Sequence, residues 1–318
     1  MENIRFLGIF VFFFLCFTAC SKDDNGEVNS STQNLNGKIL YDKGENIYSF
    51  DLRSGAKSIY FEHNNYSLNG WDVSWDGLTR LETSSIAGDF QNIRFRFVNP
   101  SNGVIEHEII YPRSAQEDRL TSGKLVGHKS QILLEPDLNH GIVLLDLEGN
   151  IIKNFRKVNG KNLTLGDKAM MLADKSILFT FDNKYILKTS PPYDEIVAIK
   201  EMNYSDWGNV HSSKDGSKLS VRIDKHIYIM NSDGTDLIQV TDSQTQEREG
   251  IFSPDGNFLL IAADYQPATS RPGTWSLNII PLDGTKHIVG KTPSEAVIVV
   301  KEQNNENVEK GDNYMLWR

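Results

Sequence analysis

The chain has 318 residues and carries 33 Lys and Arg against 42 Asp and Glu, a formal net charge of −9. This acidic balance lacks the basic surface that proteins use against nucleic-acid phosphates, so no nucleic-acid partner is expected. The two cysteines, Cys16 and Cys20, both lie near the N-terminus, so no disulfide is expected in the remainder. A chain of this length can rely on a hydrophobic core instead.

The N-terminus predicts an export signal. Arg5 precedes an unbroken apolar run of 12 residues, Phe6 to Phe17. As a helix this run spans only about 18 Å, too short for a bilayer core of about 30 Å. Its end, Phe17-Thr18-Ala19-Cys20, resembles a bacterial lipobox. We therefore predict a lipoprotein signal peptide over residues 1–19 and lipidation of Cys20; a generic cleavage site with an incidental cysteine is the alternative.

Residues 20–36 are predicted to be a disordered acidic tether, because they are rich in Ser, Asn and Asp. The segment Ser21-Lys22-Asp23-Asp24-Asn25-Gly26-Glu27 resembles the short Lys/acidic tag that sends some lipoproteins of Gram-negative bacteria to the outer face of the outer membrane. We therefore expect a lipid-anchored outer-membrane protein, displayed on the cell surface in preference to the periplasmic face. The alternative is that the acidic segment only keeps the anchor soluble, in which case the protein could face the periplasm.

Residues 37–318 are predicted to form one all-β domain of four-stranded blades, a β-propeller. The elements expected for blades one to four are listed in chain order. Blade one holds Lys38–Tyr41, Ile47–Asp51 and Ser58–Phe61; blade two holds Trp71–Ser74, Ile93–Val98 and Ile105–Tyr111. Blade three holds Lys124–Val126, Ile132–Leu134, Ile142–Leu147 and Ile151–Phe155; blade four holds Ala169–Leu172, Ile177–Phe181, Tyr185–Lys188 and Ile196–Ile199.

Blades five and six are the clearest, because Asp215-Gly216 and Asp255-Gly256 lie 40 residues apart between apolar runs. Asp-Gly supplies the positive φ of a tight hairpin, and a turn recurring at this spacing indicates a propeller. The expected strands are Gly208–Ser212, Lys218–Ile223, His226–Asn231 and Leu237–Thr241 in blade five. In blade six they are Gly250–Ser253, Phe258–Asp264, Trp275–Pro281 and Lys286–Gly290.

Blade one lacks an inner strand, which Asn313–Trp317 is predicted to supply. This closure between the N- and C-terminal strands removes two free sheet edges. The count is six blades. The strand-like segment Ala296–Val300 has no clear place, so seven blades remain open.

The segment Ser253-Pro254-Asp255-Gly256, followed by Leu259–Ala262 and Asp283-Gly284, resembles the repeat of TolB-like six-bladed propellers. His226–Thr235 is similar to the third strand and turn of that repeat. The resemblance implies a WD40-like bladed fold. The repeat begins directly after the tether, without the separate N-terminal α/β domain of TolB itself, so a role in the Tol system is not implied.

Catalytic patterns are missing from the sequence. It has no Gly-x-Ser-x-Gly elbow, phosphate loop, dinucleotide fingerprint or Cys-x-x-Cys pair, and no cofactor is expected. His107-Glu108 begins like a zincin helix, but Tyr111 stands where the second histidine is needed. Aligning the Asp-Gly turns places Asp72, His211 and Ile251 at one position of the inner strands, which is a poor metal ring.

The loops between blades are predicted to share a face with the turns between second and third strands, and such loops commonly carry recognition. We predict that this face collects aromatic and cationic side chains that bind a ligand: Arg113, Tyr204, Trp207, Arg248, Tyr265 and Arg271, with Trp275 as a further candidate. Packing of Trp207 and Trp275 within the blades is the alternative. The sequence thus favours a non-enzymatic module that binds a glycan, a peptide or a partner protein. The alternative is a metal-dependent polysaccharide lyase or hydrolase built on the channel around Asp72 and His211, since related lyases of uronate oligomers use a propeller.

Overall fold

In the computed structural model, residues 35–62, 68–112, 123–125, 129–137, 141–269, 272–302 and 306–318 are described. This part of the chain holds strands and turns and no helix, and its strands form six sheets of at least four strands and one short hairpin. The predicted six-bladed β-propeller is confirmed.

The strands of the first three blades follow in chain order. Blade one contains β1 (Lys38–Lys43), β2 (Asn46–Asp51) and β3 (Lys57–Glu62). Blade two contains β4 (Leu68–Val73), β5 (Arg80–Ile86), β6 (Asp89–Val98) and β7 (Ile105–Pro112). Blade three contains β8 (Gly123–Leu125), β9 (Ile132–Asp137), β10 (Gly141–Leu145) and β11 (Ile151–Phe155). A hairpin of β12 (Lys157–Val158) and β13 (Lys161–Asn162) then leads to blade four.

The later blades repeat the pattern. Blade four contains β14 (Ala169–Met171), β15 (Ile177–Phe181), β16 (Tyr185–Thr189) and β17 (Val197–Glu201). Blade five contains β18 (Trp207–Ser212), β19 (Lys218–Ile223), β20 (His226–Asn231) and β21 (Ile238–Gln239). Blade six contains β22 (Gly250–Phe252), β23 (Phe258–Gln266), β24 (Thr274–Pro281), β25 (Ile298–Val299) and β26 (Lys310–Gly311), and β27 (Met315–Trp317) follows.

The Asp-Gly turns form as the sequence predicts. Gly216 and Gly256 have φ of 73° and 76°, in the region that suits glycine. In the blade-five turn, Asp215 Oδ1 accepts hydrogen bonds from Ser213 Oγ at 2.5 Å and from the Ser217 amide at 3.0 Å. The same serine-to-aspartate bond recurs in the turns of blades two and six. These local bonds explain why the motif marks the repeat.

The ring closes as predicted, because β27 is the inner strand of blade one. It pairs antiparallel with β1, and Trp317 lies opposite Ile39. The Lys38 amide donates to the Arg318 carbonyl at 2.6 Å, so the chain enters the propeller beside Arg318. Arg318 in turn lies over Trp75, which belongs to a turn between first and second strands. The entry point is therefore on the face that carries these turns.

Blade six differs from the prediction at its outer strand. That strand is β25, within the segment Ala296–Val300 that had no place in the predicted blades. The predicted strand Lys286–Gly290 instead bridges to blade five, where His287 pairs in parallel with Thr241. A further short strand, β26, pairs with the other end of β24. The segment that left seven blades open is thus part of blade six.

The core lies between the blades. The buried apolar side chains form six clusters within the described residues, and each joins two adjacent blades. In the cluster between blades six and one, Trp275 and Trp317 are each 1% exposed. Blade-to-blade burial of this kind holds the inner strands around a common axis.

Candidate ligand-binding channel

A cavity of about 910 Å³ runs along the axis of the ring. Residues of all six inner strands line it, as do residues of the β12–β13 hairpin and of the loops before β14, β22 and β27. These loops and the turns between second and third strands share one face of the propeller, because the strands of each blade alternate in direction. We call this face the rim. A volume of this size suits a small or narrow ligand.

The three residues that the turn alignment places together do occupy equivalent positions on their inner strands. Asp72, His211 and Ile251 lie opposite Leu81, Ser220 and Leu260 of the second strands, four residues after each turn glycine. All three line the cavity. Asp72 and His211 nevertheless have separate partners, described below. Among the described residues no three His, Cys, Asp or Glu side chains converge as a metal site would require.

One wall of the channel is a polar cluster on blades five and six, held by two hydrogen bonds and one ion pair. His211 Nε2 lies 2.7 Å from Glu249 Oε2, and Asn209 Nδ2 donates to Glu249 Oε1 at 2.6 Å. Arg248 Nε is 3.1 Å from the same Oε1. His211 and Glu249 are 27% and 13% exposed at the side chain. We call Asn209, His211, Arg248 and Glu249 the blade 5–6 cluster.

The opposite wall is built by blades one to three. The Arg318 guanidinium lies 4.0 Å from the ring centroid of Trp75, and its Nη2 is 3.5 Å from Asp72 Oδ1. The Lys124 ammonium lies 3.9 Å from the ring centroid of Tyr314. Burial raises the pKa of Tyr314 to about 12 and lowers the pKa of Arg318. These aromatic faces are already covered by cations.

Lys124 keeps its charge in this wall. Burial lowers the pKa of its ammonium, but Tyr314, Glu135 and Asp72 raise it by more, so the pKa lies above its ordinary value. A second buried acid lies beside the wall: Asp42 accepts hydrogen bonds from Trp71 Nε1 at 2.9 Å and from Asn313 Nδ2 at 2.8 Å. Burial raises the pKa of Asp42 to about 6.

The residues predicted to bind a ligand have different positions. Trp207 is 6% exposed, and its indole N–H donates to the Asn183 carbonyl at 2.9 Å while the ring lines the cavity. Arg248 lines the cavity and lies over Tyr265, with 5.2 Å between the guanidinium and the ring centroid. Tyr204 is 39% exposed and does not line the channel.

Trp275 is buried in the core between blades six and one, and so packs within the fold. Arg113, Arg271 and Cys20 lie outside the described residues, so their predicted roles stay predictions. The structure thus brings together Trp207, Arg248 and, through its contact with Arg248, Tyr265.

Sequence reasoning missed Asn209 and Glu249. A signal was present: each lies six residues before the aspartate of its Asp-Gly turn, so the alignment that pairs His211 with Ile251 also pairs these two. The β12–β13 hairpin was missed as well, because each of its strands has only two residues. In the described part of the chain no helix has the length and apolarity needed to cross a membrane.

The architecture and channel define this chain as a six-bladed β-propeller. Its sequence matches no protein-family model and no curated protein. Among solved structures, a protein described as TolB from Agrobacterium tumefaciens is 12% identical to this chain and superposes with a TM-score of 0.56. The match covers 89% of this chain and 99% of the other protein. One chain of a nidogen/laminin complex is 10% identical, with a TM-score of 0.55, covering 78% and 90%. An oligogalacturonate lyase from Vibrio parahaemolyticus is 15% identical, covering 71% of each chain at a TM-score of 0.48.

At identities this low the similarity shows the fold alone. The fold is TolB-like, with six blades, as the sequence repeat predicts.

Proposed function

We propose that this protein is a non-enzymatic binding module, held at the outer membrane by a lipid on Cys20, and that its channel receives a polar ligand through the rim. The ligand is a glycan, a peptide or a segment of a partner protein. The observation that carries the proposal is the cavity of about 910 Å³, which every inner strand lines. Pre-formed concave sites of this kind are where ligands bind to rigid scaffolds.

The polar groups of the channel favour binding over catalysis. General acid–base chemistry needs groups that converge on one reacting point, about 3 Å away. In this channel the acids and bases are instead bonded to one another: Glu249 to His211, and Asp72 to Arg318. The alternative lyase or hydrolase would need Asp72 and His211 to converge on one point, and each instead contacts its own partner in a different wall of the channel.

Blocking the channel tests the proposal. Ser212 lines the cavity at the end of β18, and a tryptophan there would take up space in the channel at the end opposite the rim. We expect Ser212→Trp to weaken binding of a ligand found by glycan-array and pull-down screens with the mature chain. Val197→Trp is the matched control, because Val197 is 52% exposed on an outer strand. Equal binding by both variants would place the ligand outside the channel and overturn the proposal.

Metal content separates the two readings. Elemental analysis of the purified protein is expected to show no stoichiometric transition metal. A bound metal that is lost in His211→Ala would favour the lyase or hydrolase.

The membrane attachment has its own test. We expect Cys20→Ala to release a soluble or unprocessed form, since it removes the acylated atom. Protease added to intact cells should digest a surface-displayed protein. Complete protection until the outer membrane is broken would assign it to the periplasmic face.

A further inference from the structure

We propose that the blade 5–6 cluster is a subsite for an uncharged, hydroxyl-bearing ligand, a segment of a neutral oligosaccharide, and that His211 contacts it directly. This inference rests on the proposed function and deepens it by naming the class of ligand. It is carried by the geometry around Glu249 and by the ion pairs that four of the five lining cations form.

The first observation is a local distortion of the inner strand of blade five. The register of β18 against β19 shifts between Gly208 and His211, a β-bulge. Asn209, inside the bulge, has φ of 51°, a left-handed conformation that is uncommon for residues other than glycine. Bulges re-aim side chains and are frequent beside functional sites. Here the bulge delivers the Asn209 amide to Glu249 of the next blade.

The second observation is that Glu249 fixes the orientation of His211. An ionised carboxylate only accepts hydrogen bonds, so the 2.7 Å contact makes His211 Nε2 the donor. In the neutral ring, Nδ1 is then an acceptor. This Nδ1 has no hydrogen bond to any described residue, and the side chain lines the cavity. A ligand hydroxyl is a matching donor.

The third observation concerns the charge of the ligand. The described cavity-lining residues carry five cations and five carboxylates: Lys124, Lys161, Lys168, Arg248 and Arg318 against Asp72, Glu135, Asp167, Asp182 and Glu249.

These charges compensate one another locally. Arg248 pairs with Glu249 at 3.1 Å, Arg318 with Asp72 at 3.5 Å and Lys168 with Glu135 at 4.0 Å. Lys161 contacts Asp182 as well. A charged ligand would have to displace one of these partners and leave it unpaired in a partly enclosed site, which is costly.

An uncharged hydroxyl ligand avoids that cost. A carboxylate has about four acceptor positions and a guanidinium five donors, so paired groups keep spare capacity. Amides add both a donor and an acceptor, which matches a hydroxyl group. Asn162, Asn183 and Asn209 supply such amides to the cavity lining.

The test is an array of neutral, uronate-bearing and sialylated glycans, probed with the mature chain, followed by titration calorimetry with the best hit. We expect hits among neutral glycans, and His211→Ala to weaken them at least tenfold. Glu249→Leu should weaken them also, since it removes both acceptor oxygens, including the one that holds the Nε2 proton. His107→Ala is the matched control, because His107 is exposed on the outer strand β7.

Nitrogen NMR of the imidazole gives a readout that folding alone would not move. We expect the Nε2-protonated tautomer at His211 in the free protein and its loss in Glu249→Leu, which has no acceptor at this position. Hits confined to charged glycans, no neutral hit at all, or neutral binding unaffected by His211→Ala would each overturn the inference. If Ser212→Trp still blocks another ligand, such as a peptide, the proposed function survives; if it blocks nothing, that proposal fails as well.

Discussion

Replacing Trp317 by alanine tests the closure of the ring. Trp317 is the last residue of β27 and is 1% exposed. Its ring lies 6.5 Å from that of Phe258 in blade six, and its indole N–H donates to the Asn36 carbonyl at 2.9 Å. The side chain therefore joins the inner strand of blade one to the neighbouring blade.

Truncation of a buried tryptophan to alanine costs about 3–5 kcal/mol of unfolding free energy. The measurement is urea unfolding followed by both far-ultraviolet circular dichroism and tryptophan fluorescence. With a denaturant dependence of about 3 kcal/mol per molar, the midpoint should fall by about 1–1.7 M. Deleting residues 313–318 should be more severe and unfold the domain, because it removes the inner strand and exposes the edge of β1.

Ile238→Ala is the control, because Ile238 is 53% exposed on an outer strand. Its unfolding free energy should stay within about 0.5 kcal/mol of the wild type. If Trp317→Ala behaves like this control, or if the chain lacking 313–318 keeps its melting temperature, ring closure through β27 does not stabilise the fold.

Three further predictions concern buried groups. Wild type should lose up to about 3 kcal/mol of stability as the pH rises from 4 to 7, because burial raises the pKa of Asp42 from 3.8 to about 6 in the folded state and ionisation then favours unfolding. Asp42→Asn should remove this loss, and urea midpoints across the same pH range measure it. Gly141→Ala should destabilise severely, because the new Cβ would lie 1.9 Å from the Phe155 carbonyl oxygen; thermal unfolding measures it. Glu309→Gln should cost about 2–3 kcal/mol in urea unfolding, because it weakens the ion pair at 2.7 Å between the fully buried Glu309 carboxylate and the partly buried Lys57.

Each has a matched comparison. Asp42→Asn is judged against wild type at the same pH values, and parallel curves would mean that Asp42 is not ionising in that range. Gly160→Ala has a similar positive φ of 83° but open space around the Cβ, so an equal loss would show that strain alone, and not the clash, is measured at Gly141. Glu306→Gln changes an exposed ion pair with Lys301; an equal effect at both sites would remove the role of burial at Glu309.

The sequence predicts the blades well where turn chemistry is local. Ser213, Asp215 and Gly216 specify their hairpin through bonds within five residues, and the same holds at Ser253. The outer strand of blade six was predicted wrongly because both Lys286–Gly290 and Ala296–Val300 carry β-branched apolar residues that favour a strand. Which segment pairs with β24 is decided by tertiary packing, which a local pattern does not contain.

The channel was predictable only in part. Position along an inner strand follows from the turn alignment, so His211 and Asp72 were found. The pairing of Glu249 with Asn209 depends on a β-bulge and on contact between neighbouring blades. Neither can be predicted from the local sequence around one of these residues. Burial of Trp207 likewise depends on its neighbour, since the Asn183 carbonyl accepts its N–H.

The place where the chain enters the ring has a consequence for orientation at a membrane. Lys38 and Arg318 meet on the face that carries the turns between first and second strands, opposite the rim. Residues 20–34 span at most about 50 Å when fully extended. A lipid on Cys20 would therefore hold the propeller by the face opposite the rim and turn the rim toward the medium, away from the bilayer.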